Sequence, residues 1–107
     1  MDTSPADRYL DAVNNRDVEA MLNLLAPDAE VRFRKEYSGP AEIRAFYEDE
    51  VFPSGIVLRK ILEVADGATC IAVFEGDVPT MDRPMKLVDV FSMNEDGRAA
   101  SVDVYRR

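Results

Sequence analysis

The sequence of 107 residues contains no histidine. That absence removes Ser-His and Cys-His nucleophile pairs and the usual zinc sites. Any acid–base chemistry must therefore come from Asp, Glu, Tyr or Lys. Cysteine is reduced to Cys70, so no intrachain disulfide can form. Cys70 stands in the apolar run Cys70-Ile71-Ala72-Val73-Phe74 and reads as a small buried hydrophobe rather than a reactive thiol. Positive charge is also short: 13 Lys and Arg face 21 Asp and Glu, a net charge of -8. A nucleic-acid backbone or an anionic membrane would repel such a surface, so neither is an expected partner. No run approaches transmembrane length, and no basic-then-apolar stretch opens the sequence, so the expected location is cytoplasmic. No loop carries regularly spaced oxygen ligands, and no metal site is expected.

What the sequence does have is the material of one globular domain over residues 1–107, with 47% apolar and 32% charged residues. Ser4-Pro5-Ala6-Asp7 supplies a cap, a first-turn proline and an acid at the positive helix end, predicting a helix to about Asn14. Asp17 caps a second helix with an apolar stripe of Val18, Met21, Leu22 and Leu25, closed by Pro27-Asp28. Residues 30–37 alternate as a strand. Ser38-Gly39-Pro40 turns into a third helix carrying Ile43, Phe46, Tyr47 and Val51, closed by Pro53-Ser54-Gly55. Four strands then follow, at 56–65, 68–75, 84–93 and 98–105, with Asp66-Gly67 as a hairpin signal and a polar loop at 76–83. Both faces of the late strands carry apolar groups, whereas three short helices cover only one. A homodimer packed sheet to sheet is expected.

Asp89 stands out in this pattern. Side chains alternate along a strand, so one face of 84–93 reads Met85, Leu87, Asp89, Phe91, Met93. A lone carboxyl amid four large apolar groups is costly and tends to hold its proton. Either it is fully hydrogen-bonded for structural reasons or it lines a dry pocket and takes part in chemistry. Asp103 is the next acid, and hairpin register decides its facing. A two-residue loop at Glu95-Asp96 puts Val102 opposite Asp89 and turns Asp103 away; a three-residue loop turns Asp103 inward. Glu36, Glu48 and Asp49 read as surface acids from which a base could come. Phe33, Phe46, Tyr47, Phe74 and Phe91 are core aromatics of which a subset lines the pocket.

The order of elements resembles the nuclear-transport-factor-2-like superfamily, in its SnoaL-like and ketosteroid-isomerase-like branches. The residues that carry the resemblance are Arg8-Tyr9-Leu10-Asp11-Ala12-Val13-Asn14, Asp17 to Leu25, Ala26-Pro27-Asp28-Ala29, Ser38-Gly39 with Ile43-Arg44-Ala45-Phe46-Tyr47, and Leu87-Val88-Asp89-Val90-Phe91. The resemblance implies a cone-shaped α+β fold (ααβαββββ), a curved, mostly antiparallel sheet with an apolar pocket at its mouth. In ketosteroid isomerases a Tyr on the first helix and a protonated Asp on a late strand form the oxyanion hole; Tyr9 and Asp89 fall on those positions. The family's general base, an Asp on the first strand, is replaced by Phe33. The expected site thus comprises Asp89, Tyr9 and Asp103, with Phe33, Phe46, Tyr47, Phe74, Leu87, Phe91, Val102 and Val104 toward the ligand, and no cofactor. Two functions are consistent with it: an acid–base isomerase, cyclase or hydrolase acting on an apolar carbonyl or epoxide, or a non-catalytic ligand-binding or dimerisation module.

Overall fold

In the computed structural model, which describes residues 4–107, helix α1 runs Pro5–Asn14 and begins as its sequence dictates. Ser4 Oγ accepts the Asp7 N–H at 3.1 Å, satisfying one of the free donors of the first turn. The second helix, α2 (Val18–Leu24), is capped by Asp17, which accepts from the Ala20 N–H at 3.0 Å. Ala6, Tyr9, Ala12 and Val13 of α1 and Met21 and Leu24 of α2 are buried, and this stripe faces the sheet.

Six strands form one sheet in the order β2-β1-β6-β5-β4-β3. Their ranges are β1 Leu25–Phe33, β2 Lys35–Ser38, β3 Val57–Asp66, β4 Thr69–Asp77, β5 Met85–Met93 and β6 Ala99–Arg106. β1 and β6 are parallel, and every other pair is antiparallel. The curved mixed sheet against three helices is the α+β architecture that the sequence predicts. The differences are local. Residues 30–37 are not one strand: the chain reverses at Arg34, whose φ is +68°, and pairs back on itself as β2. β1 begins five residues earlier than expected and runs through Pro27; the ladder to β6 shifts register between Leu25 and Glu30, a break that accommodates a residue without an N–H. The third helix, α3 (Gly39–Phe46), passes into a π-helical turn over Tyr47–Val51 and a 3₁₀ turn over Phe52–Ser54.

Edge strand β3 is tied to both ends of α1 by side chains. Asn14 Nδ2 donates to the Leu58 carbonyl at 3.0 Å, and its Oδ1 accepts the Leu58 N–H at 2.7 Å, so an amide replaces a missing strand neighbour. At the other end of α1, Ser4 Oγ and Lys60 Nζ both donate to Glu63 Oε1, at 2.9 and 2.7 Å. The Cys70 thiol donates to Glu63 Oε2 at 3.2 Å, and burial pushes it up to about 11, so it stays protonated at neutral pH. No helix among the described residues is long and apolar enough to cross a membrane.

Candidate active site

The inner face of the sheet is laid out by its register. From one end, the rows read Cys70–Phe91–Val102, then Ala72–Asp89–Val104, then Phe74–Leu87–Arg106 across β4, β5 and β6. Cys70, Phe91 and Val102 are buried and fill the first part of the wall with core. In the middle row the neighbours of Asp89 are small. Ala72 and Val104 leave room above the carboxyl, and a cavity of about 580 Å³ opens there. That size suits a small organic ligand.

Asp89 is 1% exposed and lines this cavity. Its Oδ1 has no hydrogen-bond partner among the described residues. Burial alone pushes its carboxyl up to about 8, because nothing nearby offsets the cost of desolvating a charge. At neutral pH the group is a carboxylic acid, and its O–H is a donor with no protein acceptor.

Tyr9, from the middle of α1, lines the same cavity. Its ring lies between Phe74 (centroids 6.1 Å, stacked) and Phe91 (5.5 Å, edge-on). Its hydroxyl lies 3.0 Å from that of Tyr47, a bond in which either oxygen can donate. Tyr47 is fully buried behind Tyr9 and does not reach the cavity. Burial pushes the Tyr9 phenol well above its ordinary range, and the neighbouring Tyr47 and Asp89 raise it further. Burial raises Tyr47 as well. The site thus holds three protonated oxygens, of which Tyr9 and Tyr47 form a pair.

Of the other residues expected at the pocket, Phe33, Phe46, Leu87 and Val104 lie on its wall. Phe74, Phe91 and Val102 do not; they are solid core that braces Tyr9 and the sheet. Asp103 faces the opposite side of the sheet. The turn between β5 and β6 closes as a three-residue loop, with the Asn94 N–H donating to the Arg98 carbonyl at 2.8 Å and Asn94 Oδ1 accepting from the Asp96 and Arg98 N–H groups at 2.9 and 3.0 Å. That loop alone would set Asp103 opposite Asp89, but the ladder shifts by one residue between Met93 and Ser92, so Asp89 pairs with Val104, not Val102, and Val90 with Asp103. Asp103 instead accepts from Arg32 Nη1 at 2.8 Å on the outer face. Its removal from the site follows from this register.

The mouth of the cavity is formed largely by residues not expected there. Glu36 and Asp49 are exposed and Glu48 pairs with Arg44 at 3.5 Å, while the carboxyl on the cavity wall is Glu50. Helical spacing explains this. Glu50 stands four residues after Phe46 and seven after Ile43, and Val51 four after Tyr47, on the inward face, whereas Glu48 and Asp49 fall on the outward one. Tyr37 donates to Glu50 Oε2 at 3.5 Å. Arg34, Lys35 and Arg106 complete the rim. Among the described residues no group of three or more His, Cys, Asp or Glu side chains is placed to hold a metal ion.

Comparison with known proteins agrees with this fold. The chain superposes on a protein provisionally designated a polyketide cyclase from Sinorhizobium meliloti, with a TM-score of 0.85 and 20% identity, over 94% of this chain and 93% of that one. It also superposes on a provisionally designated ketosteroid isomerase from Kribbella flavida, with a TM-score of 0.84 and 21% identity, over 96% and 75% of the two chains. A third similar structure is the epoxide hydrolase/cyclase-like enzyme SalBIII of pyran ring formation in the polyether salinomycin, with a TM-score of 0.83 and 18% identity over 96% and 88%. At these identities the likeness is one of fold. No curated protein sequence matches the chain at a significant level. The profile of the SnoaL-like domain matches residues 6–102, nearly the whole chain, and this protein therefore belongs to the SnoaL-like domain family.

Proposed function

We propose that this protein is a cofactor-independent acid–base enzyme, an isomerase, cyclase or hydrolase, acting on a largely apolar substrate that carries a carbonyl or epoxide oxygen. The observation that carries this reading is the unpartnered carboxyl of Asp89 on the cavity wall. A buried donor without a protein acceptor is costly to maintain for structure alone and is well placed for an oxygen on which negative charge develops. Asp89 donates to that oxygen as a carboxylic acid. Tyr9 donates beside it, with Tyr47 behind it holding the phenol in position. Glu50, the other carboxyl on the wall, receives the proton that the substrate or an attacking water gives up. The wall between these groups is apolar, with Phe33, Phe46, Leu58 and Leu87 excluding water and strengthening each hydrogen bond.

The alternative is a ligand-binding module without turnover, and Phe33 favours it. In ketosteroid isomerases this strand position carries the general base, and here an aromatic ring lines the wall instead.

A panel of apolar ketones and epoxides, followed for turnover across pH, tests the proposal. The active form carries a protonated Asp89. Rate is expected to hold steady between about pH 6 and 7 and to fall above about 8, by up to tenfold per pH unit. Binding without turnover across the panel favours the module, and a rate that rises through pH 8 rules out the acid role of Asp89.

We further propose that a second copy of the chain covers the outer face of the sheet. Register places Leu62, Val73, Val88 and Tyr105 in one outer row and Val64, Ile71 and Val90 in the next. Leu62, Val64, Ile71 and Tyr105 are exposed. Arg59, Glu75 and Lys86 edge this band at one end, and the Arg32–Asp103 pair flanks it. Charges of both signs around an apolar centre suit a two-fold copy of the same surface.

A further inference from the structure

We propose that the ligand of this cavity is an amphipathic organic anion, whose apolar body fills the cavity and whose anionic group rests at the rim among Arg34, Lys35 and Arg106. This inference rests on the pocket reading above and narrows its substrate class.

The chain has far fewer cations than carboxylates, and its other strand cations find acids. Arg32 pairs with Asp103, Arg59 with Glu75 and Asp77, Lys60 with Asp7 and Glu63, and Lys86 with Glu75. Arg34, Lys35 and Arg106 make no ion pair with any described residue, and all three line one cavity. Glu50 is the acid on the same wall, and its nearest hydrogen-bond partner is the Tyr37 hydroxyl.

The backbone assembles these cations from three directions. Arg34 sits at the reversal between β1 and β2 with φ +68°, a conformation that non-glycine residues adopt uncommonly. Its guanidinium lies 5.1 Å from the centre of the Phe33 ring. Lys35 follows, with its ammonium 5.4 Å from the centre of the Tyr37 ring. Both rings belong to the cavity wall, so stacking holds the two cations beside the opening. Arg106 arrives on β6, directly opposite Leu87, on the face that carries Val104.

The strand rows set the length of the ligand. Arg106 lies two residues along the strand from the row of Asp89 and Val104, a rise of about 7 Å. A ligand that offers an oxygen to Asp89 therefore places its anionic group at least that far toward the opening, separated by apolar atoms. Arginine binds carboxylates through paired N–H groups and suits such a group best.

A fluorescence pair tests this at pH 7. 8-Anilinonaphthalene-1-sulfonate and N-phenyl-1-naphthylamine share one aromatic skeleton, and only the first carries an anion. The wild type is expected to bind the sulfonate at least tenfold more tightly than the neutral probe. The triple variant Arg34→Gln, Lys35→Gln, Arg106→Gln is expected to lose that difference and to keep its affinity for the neutral probe within about twofold. These side chains are exposed, and an unchanged melting temperature verifies that the variant folds. Decanoate should displace the sulfonate more effectively than decanol. Equal affinities for the two probes in the wild type, or a ratio unchanged in the variant, overturns the anion preference while leaving the pocket intact. Failure of both probes to bind sinks the pocket and this inference together.

Discussion

Asp89→Asn is expected to make the protein more stable and less active at once. Asn keeps the shape of the side chain and cannot ionise. At pH 7 the wild-type fold must hold a proton that the unfolded chain releases freely, since the carboxyl sits at about 8 when folded against an ordinary 3.8. Below pH 4 the carboxyl is protonated in both states and the variant gains little. As pH rises the unfolded chain loses the proton first, and wild-type stability falls relative to the variant by up to about 1.4 kcal/mol per unit. The difference stops growing above about pH 8, where both states are ionised. A gain of about 4 kcal/mol at pH 7 follows from this linkage, visible as a rise in Tm of roughly 15 °C. Ligand affinity or turnover should drop by about two orders of magnitude, the usual effect of removing one oxyanion donor. A structural Asp would behave oppositely, since its hydrogen bonds would be lost and the variant would be less stable. Denaturation at pH 4.5 and 7.5, paired with a ligand titration, separates these outcomes.

The second large effect lies on the other side of the sheet. Ile71→Asp is expected to convert a dimer into a monomer. Ile71 is exposed and pairs with Val64 on one side and Val90 on the other, so it stands within the apolar band. In a two-fold interface one substitution places two carboxylates in apolar contact, which weakens association by at least 100-fold. Sedimentation velocity should give the wild type at twice the monomer mass and the variant at the monomer mass, both folded. A wild type that sediments as a monomer at tens of micromolar contradicts the assignment of this face to a second copy.

The parts of the fold visible in the sequence were those set by period and by caps. Ser4, Pro5 and Asp17 marked helix starts that the structure repeats. The alternation along 85–93 identified an inward Asp89 because a two-residue period survives any error in strand ends. Features that depend on single-residue offsets were not visible. Pro27 suggested the end of a helix, yet β1 carries it through a break in register. Arg34 gives no turn signal in sequence, and a reversal at a non-glycine residue with positive φ is not written in propensities. Glu36, Glu48 and Asp49 read as surface acids that could supply a base, and the carboxyl on the wall is instead Glu50, at helical spacing from Ile43 and Phe46. A one-residue register shift beside the turn, between Ser92 and Met93, decided the facing of Asp103. Tyr47 was expected at the ligand and instead holds Tyr9, because apolar periodicity places a ring in the core without distinguishing the layer that meets a cavity from the layer behind it.

The most direct measurement concerns one carboxyl group. A carbon-13 NMR titration following the side-chain carbon of Asp89, assigned by its disappearance in Asp89→Asn, reports the protonation of that group alone. The account predicts a midpoint near pH 8. A midpoint near 4, the value of a solvated aspartate, would contradict a dry acid on the cavity wall and the chemistry built on it.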